Sequence, residues 1–272
     1  MSASVTEKLH NRFFDIDIAL KAKEDWSKGI QKNPDTFKKL IRAYSQFELA
    51  LKKHFKDLAN NRVEMFINWA AYSMENIKAD DRSDFVNSIV VNLDNYSFVD
   101  ERQLLLVILQ QYMLAGISLG VDAAQQEYVD AGLSATSVEV QKMAMDYSSQ
   151  LVTSITETTR KQIQQSVANS LQLHQTIEQA TSDLTNIVGD SYRAEMIAST
   201  EMRNSYVDGQ GIVADQTNAT AKQWDPSSDP CELCQDNVDD GTIAIDDDFT
   251  NGDDPHPWCR CGILWLYGDQ NV

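Results

Sequence analysis

Residues 229–261 read DPCELCQDNVDDGTIAIDDDFTNGDDPHPWCRC, and this stretch governs the reading of the whole chain. It holds all four cysteines of the protein: Cys231 and Cys234 as C-x-x-C, then, 21 residues on, His256 followed by Cys259 and Cys261. A C-x-x-C turn aims two thiolates at one tetrahedral ion, and a second ligand cluster one loop away completes four. Five donors therefore compete for four positions. Cys231, Cys234 and Cys259 fill three. The fourth is Cys261, which would share a strand face with Cys259, or His256, which repeats the three-residue C-x-x-C spacing. Three thiolates and a neutral imidazole leave a smaller negative charge around Zn²⁺ than four thiolates do, so the acidic surroundings lean towards His256. Spacing alone leaves the choice open, and two disulfides or plain buried thiols are the alternative to a metal. The N-terminus, with charges among its apolar residues, lacks a signal-peptide core, so reduced thiols and a structural zinc ion are expected.

The neighbourhood explains why a staple is needed. Residues 225–272 carry twelve acids against one base, Arg260. Three short β-like runs, 221–224, 241–245 and 262–267, are separated by turns rich in Asp, Pro, Gly and Asn. A module this short and this acidic has too little apolar core to hold itself together unaided.

Upstream the period is helical. Residues 1–30 read as one helix; Asn33-Pro34-Asp35 starts a second, with Phe37, Leu40, Ile41, Tyr44, Phe47 and Leu51 at three- and four-residue spacing. A further helix is expected from about Arg62 to Ile77, followed by a charged turn at 78–82. Residues 103–121 are uncharged, and Gln110-Gln111 at their centre favours a buried core helix over a lipid span. After a soft segment at 130–134, Ser137 could cap a long helix whose Met143, Tyr147, Leu151, Ile155, Thr159, Ile163, Val167 and Leu171 recur every four residues. Its other positions are mostly uncharged Ser, Thr, Gln and Asn. Residues 176–188, ended by Gly189, and 190–215 give two more helices. The fold class expected is mainly α: a helical bundle over 1–135, then a domain over 136–272 that ends in a zinc-stapled strand-and-loop module with its Cys/His cluster at 225–267.

Composition limits the function. With 272 residues, 42% of them hydrophobic, the chain can bury a core, and a net charge of −18 argues against gripping nucleic acid or an anionic membrane. Pro230 and the C-x-x-C match half of the zinc-deaminase signature, but its H-x-E half is missing: His10, His54 and His174 are followed two residues on by Arg12, Lys56 and Thr176. HExxH, Walker A, GxSxG and GxGxxG are also absent, so no enzyme is expected.

The segment Arg193-Ala194-Glu195-Met196-Ile197-Ala198-Ser199-Thr200-Glu201, with Gly209 eight residues after Glu201, resembles the R-a-x-x-I-A-x-T-E…G helix of phage Mu F-like head morphogenesis proteins. Lys222-Gln223-Trp224, Asp229-Pro230-Cys231-Glu232-Leu233-Cys234, Gly241 and His256-Pro257-Trp258-Cys259-Arg260-Cys261 resemble in order that family's K-x-W, D-x-x-C-x-x-C, G and H-P-x-C-R-C elements. The likeness covers about residues 137–267. It departs at Ser205, where an Ala is usual. What the resemblance implies is a minor capsid protein of a tailed bacteriophage. Such a subunit is portal-associated, acts with the portal, capsid or scaffolding protein in head assembly or DNA delivery, is made in the host cytoplasm and is housed in the virion head. On this reading the 1–135 bundle docks to portal or capsid, and Arg193, Glu201 and Trp224 serve structure or interaction; an ion pair from the Arg193–Glu201 face to the C-terminal module and a plain surface role for both residues are the two alternatives. The competing class is a zinc-dependent hydrolase or toxin-like enzyme using Glu201 and the Cys/His cluster.

Overall fold

A computed structural model describes residues 34–74, 99–128, 131–134, 136–172 and 177–268. The expected helix over 1–30, the turn at 78–82 and the side chains of 65–72 lie outside the described residues. The chain is mainly helical with one small antiparallel sheet near its end, as the sequence implies. The elements run α1 (Pro34–Met74), α2 (Val99–Glu127), α3 (Val138–Gln172), α4 (Ile177–Val188), α5 (Ser191–Gln216), β1 (Ala221–Asp225), α6 (Glu232–Asp239), β2 (Thr242–Ala244) and β3 (Gly262–Leu266).

Local chemistry sets several of these limits. Pro34 opens α1, where its missing N–H costs nothing. Asp190 caps α5, its carboxylate accepting from the Tyr192 N–H at 2.9 Å. One expectation is corrected: the separate helices expected over 34–51 and from about Arg62 are, as far as Met74, the single helix α1, and 75–77 lie outside the described residues. No Gly or Pro interrupts residues 35–74, and Phe55, Leu58 and Ala59 carry the buried stripe across the polar stretch. The buried face of α3 is corrected as well. It runs through Val140, Ala144, Ser148, Val152, Ile155, Thr159, Ile163 and Ser166, while Met143, Tyr147 and Leu151 are only half-buried. Steps of four alone drift off a 3.6-residue helix, and the three-residue steps at Val152–Ile155 and Ile163–Ser166 bring the face back. Many α3 hydroxyls turn inward on their own helix: Ser149, Thr153, Thr156 and Thr159 donate to the carbonyls of Met145, Ser149, Val152 and Ile155 at 2.7–3.1 Å.

Two compact units are present, and each draws on both sides of residue 135. One takes Tyr44–Leu114 and Gln141–Ala198. Its core joins Phe47, Leu51 and Phe55 of α1 with Leu105, Leu109 and Met113 of α2, Val152, Ile155 and Ile163 of α3, Leu184 and Val188 of α4, and Ala194 and Ala198 of α5. Phe47 stacks on Tyr112 at 4.9 Å between ring centroids. The uncharged sequence lies within α2, and Glu101–Glu127 is long and apolar enough to cross a membrane by length and composition. The buried positions Leu105, Leu109, Met113, Ile117 and Val121 recur every four residues along one face, whereas Leu104 and Val107 are exposed. The helix thus lays one face in the core and leaves the other exposed.

The other unit takes the chain up to Ala43, Ala115–Val140 and Ser199–Val272. In it α2 and α5 touch backbone to backbone. A Cβ on Gly120 would stand 2.0 Å from the Tyr206 carbonyl oxygen, and one on Gly209 would stand 2.1 Å from that of Ile117. Only glycine permits this approach. Ser205 is fully buried beside Gly116 and donates to the Glu201 carbonyl, so a small residue is what the crossing needs.

The sheet, ordered β2-β1-β3, follows α5. Trp224 pairs with Ile263 and Lys222 with Trp265 across β1 and β3, and these four side chains point to the same buried face. Trp224, Phe249, Ile263 and Trp265 pack with Val207 and Ala214 of α5 and with Cys234, Cys259 and Cys261. The cysteines therefore sit inside the module's small core.

Candidate metal centre

Cys231 caps the N-terminus of α6 in extended conformation, and its carbonyl accepts the first helical bond, from Gln235 at 2.8 Å. Cys234 follows one turn later, fully buried on the inner face. The sequence placed this C-x-x-C in a loop; the eight-residue helix behind it was missed. Its signals were Pro230 just ahead and Glu232 in the first turn. The other donors lie on the loop from Asp253 to Cys261. The expected strand face shared by Cys259 and Cys261 is also corrected, because both precede β3 in irregular backbone.

The connection between the two donor groups is laced by polar side chains. Asn237, fully buried, donates to the Gly252 carbonyl at 2.9 Å and accepts from the Asn251 N–H at 2.8 Å. Asn251 in turn donates to the Leu233 carbonyl at 3.0 Å, and the Asp240 carboxylate takes both the N–H and the hydroxyl of Thr250 at 2.7 Å. Because α6 is tied to the loop in this way, its cysteines face the Asp253–Cys261 segment.

All five sequence-predicted donors come together. Cys231, Cys234 and His256 have donor atoms within 4.8 Å of one another, as do Cys234, Cys259 and Cys261. The His256 Nε2 lies 3.1 Å from Cys231 Sγ and 3.4 Å from Cys234 Sγ, and Cys234 Sγ lies 3.7 Å from Cys259 Sγ. His256 Nδ1 donates to the Pro257 carbonyl at 2.6 Å, which leaves Nε2 as the nitrogen facing the sulfurs. Cys261 Sγ accepts the Ser227 N–H at 3.4 Å. The cluster is able to hold a metal ion, with Cys234 common to both groups.

The protons of the cluster are strongly redistributed. Cys231 is brought down to about 4, first by the Cys234 thiol that donates to it and then by His256 and the Cys234 backbone N–H. Cys259 is likewise held far below the ordinary thiol range by Cys234 and Cys261, with the Arg203 guanidinium adding to the effect. Cys234 keeps its proton, shared among Cys231, Cys259 and Cys261. Burial pulls His256 down, but bonds to Cys231 and Cys259 outweigh it and raise the imidazole to about 10. Cys234 and His256 would give up their protons to a divalent ion held here, and the thiolates would supply the negative charge it needs.

Sequence reasoning missed the residue that grips the donor loop. Arg203 of α5 is buried, and it donates through Nε to the Cys261 carbonyl at 2.8 Å. Its Nη1 reaches the Asp253 carbonyl at 2.8 Å and Asp254 Oδ1 at 3.0 Å, and its guanidinium lies 5.5 Å from the Trp224 ring centre. Lys222, also buried, pairs with the Asp253 carboxylate at 3.0 Å and lies over the Phe249 ring. Thr200 Oγ1 accepts the Trp258 N–H at 3.0 Å. No pattern marks Arg203, since its partners are mainly carbonyls far along the chain.

The three residues singled out beside the cysteines separate. Trp224 is buried in the module core against Phe249. Arg193 finds its partners within its own unit. It is buried, donates to Gln162 Oε1 at 3.0 Å and the Ile155 carbonyl at 3.1 Å, and sits over the Phe55 ring at 4.9 Å. Burial lowers its guanidinium to about 10. Glu201 is half-buried on α5, one residue after the Thr200 that holds Trp258. No family model, curated protein or solved structure matches the chain.

Proposed function

We propose that the Cys/His cluster holds one structural zinc ion and that the chain is a structural subunit of a tailed-phage head. In this reading it is a minor capsid, head-morphogenesis protein that works with the portal in assembly or DNA delivery. The observation that carries the zinc half is the donor geometry. Zinc–sulfur bonds of about 2.3 Å and zinc–nitrogen bonds of about 2.0 Å at tetrahedral angles set S···S and S···N edges of about 3.8 and 3.5 Å. The 3.7 Å between Cys234 and Cys259 and the 3.4 Å between Cys234 and His256 lie close to those edges. Five protein donors for four positions leave no place for a reactive water, which supports a closed, structural site over a catalytic one.

The phage half rests on the ordered resemblance, and the packing supplies a use for its residues. Thr200 holds the donor loop, Gly209 meets α2, Lys222 pairs with Asp253, Trp224 fills the core, and the cysteines and His256 form the cluster. The acidic module suits a protein-binding subunit that must stay off packaged DNA. Two measurements test the reading. Elemental analysis of the full chain purified under reducing conditions should find one zinc per chain; absence of stoichiometric metal overturns the zinc assignment. Mass spectrometry of purified virions, with the gene lying beside portal and terminase genes, should place the chain in the head. A gene without such neighbours and a chain absent from virions overturn the phage assignment.

A further inference from the structure

The loop from Asp253 to Cys261 delivers three of the five donors, yet it is irregular and carries local strain. Trp258, immediately before Cys259, has φ of 66°, a left-handed conformation that costs a bulky side chain on the order of 1 kcal/mol or more. Something outside the loop must hold it. A single side chain reaches both of its ends: Arg203 binds the carbonyl of Asp253 at one and that of Cys261 at the other. The charge balance points the same way. The Arg203 side chain is 5% exposed, whereas the carboxylate it meets, Asp254, is 55% exposed. Its Nη2 is buried with no hydrogen-bond partner among the described residues. A guanidinium taken this far out of water needs negative charge nearby, and an anionic metal–thiolate group held by Cys261, whose carbonyl it binds, would add to that of Asp254.

We propose that Arg203 is the positioning residue of the metal centre, fixing both ends of the donor loop with one planar fork and supplying the cation that faces the anionic thiolate–metal group. The proposal rests on the zinc reading above. It places metal affinity partly in α5, outside every ligand-bearing segment.

The test uses the full chain under reducing conditions, titrated with Zn²⁺ against a chromophoric chelator and with Co²⁺ for its absorption spectrum. R203M is expected to weaken both ions about 10–100-fold while the Co²⁺ spectrum keeps its tetrahedral thiolate form, as loss of a supporting contact does. R203K keeps the charge but not the fork and should fall between R203M and the wild type. D254N, which leaves both carbonyl contacts in place, should stay within about 3-fold of the wild type. An R203M chain that binds both ions as tightly as the wild type overturns the proposal. So does one that loses equal thermal stability with and without metal, since that marks Arg203 as a packing residue only. If R203M does not fold, R203K decides on the same criterion. A wild-type chain that takes up neither ion overturns the zinc reading, and the proposal falls with it.

Discussion

Adding a single methyl group at Gly120 sets two physical effects against each other. In an exposed helix Gly→Ala stabilises by roughly 0.5–1 kcal/mol, because the alanine chain loses less backbone freedom on folding. At Gly120 the new Cβ would lie 2.0 Å from the Tyr206 carbonyl oxygen and 2.9 Å from its carbon. An ordinary C···O contact is about 3.3 Å, so α2 and α5 must part by about 1.3 Å. A gap of that order forfeits a quarter to a half of the dispersion energy along the crossing, which includes the fully buried Met202, Ile117 and Val121. The overpacking penalty of about 1–3 kcal/mol or more therefore exceeds the propensity gain. Gly211 on the same α5 is the internal control, because a Cβ there meets the Trp265 ring at 3.5 Å, an ordinary contact. Gly120→Ala should lower the thermal midpoint by about 5 °C, taking 2–4 °C per kcal/mol, and Gly211→Ala should hold or raise it. Far-UV circular dichroism melts of the three proteins at one fixed zinc concentration read the result. A Gly120→Ala midpoint at or above the wild type refutes the backbone-contact account of the crossing.

Three other outcomes follow from the same structure. Removing metal with a strong chelator should lower the melting midpoint and change the fluorescence of Trp224, Trp258 and Trp265; zinc held about 1,000-fold above its dissociation constant should restore about 4 kcal/mol. Unchanged melting would count against a structural metal. Asp208 is raised to about 7, by burial first and then by the Asp254 charge. The folded state therefore holds a proton that the unfolded chain has lost, and stability falls as pH rises from about 4 to 7. Asp208→Asn removes that loss, worth at most about 4 kcal/mol, so its gain in midpoint over the wild type should be larger at pH 8 than at pH 5. His54, buried and lowered to about 4, acts in the opposite sense: the unfolded chain takes the proton first, and stability is lost as pH falls from 6.5 to 4. A His54→Leu chain should show a flatter acid limb, by at most about 3 kcal/mol, in pH-dependent melts.

Legibility in the sequence followed the range of the interactions involved. Pro34, Gly189 and Asp190 announced helix limits because proline, glycine and an Asx cap act on the adjoining backbone. The five donors were legible because spacing along a short chain segment is itself the geometric requirement for a metal. The face of α3 was misplaced by one residue at Met143, Tyr147 and Leu151, since a run of four-residue steps satisfies the eye while the helix turns every 3.6. Helix α6 stayed hidden because Cys-Glu-Leu-Cys suits both a turn and a first helical turn. Arg193 and Arg203 were the least legible. Both bury a guanidinium against carbonyls and rings distant in sequence, and any exposed arginine looks the same on paper. Arg193 stood in the segment that carries the resemblance, yet its partners Gln162 and Ile155 were not legible there; Arg203 was overlooked.

The hydroxyls of α3 have one more consequence. Ser149, Thr153 and Thr156, exposed or half-buried, spend their hydroxyl protons on their own helix, and Glu157, Arg160 and Lys161 are the charges along residues 147–172, so the exposed side of α3 is a polar face with few charges. An assembly contact made through it would hold at any ionic strength. One made through the twelve carboxylates of the C-terminal module would weaken as salt rises, with a screening length near 8 Å under physiological conditions. A simple salt titration of any complex this chain enters thus reports which of its two surfaces is engaged.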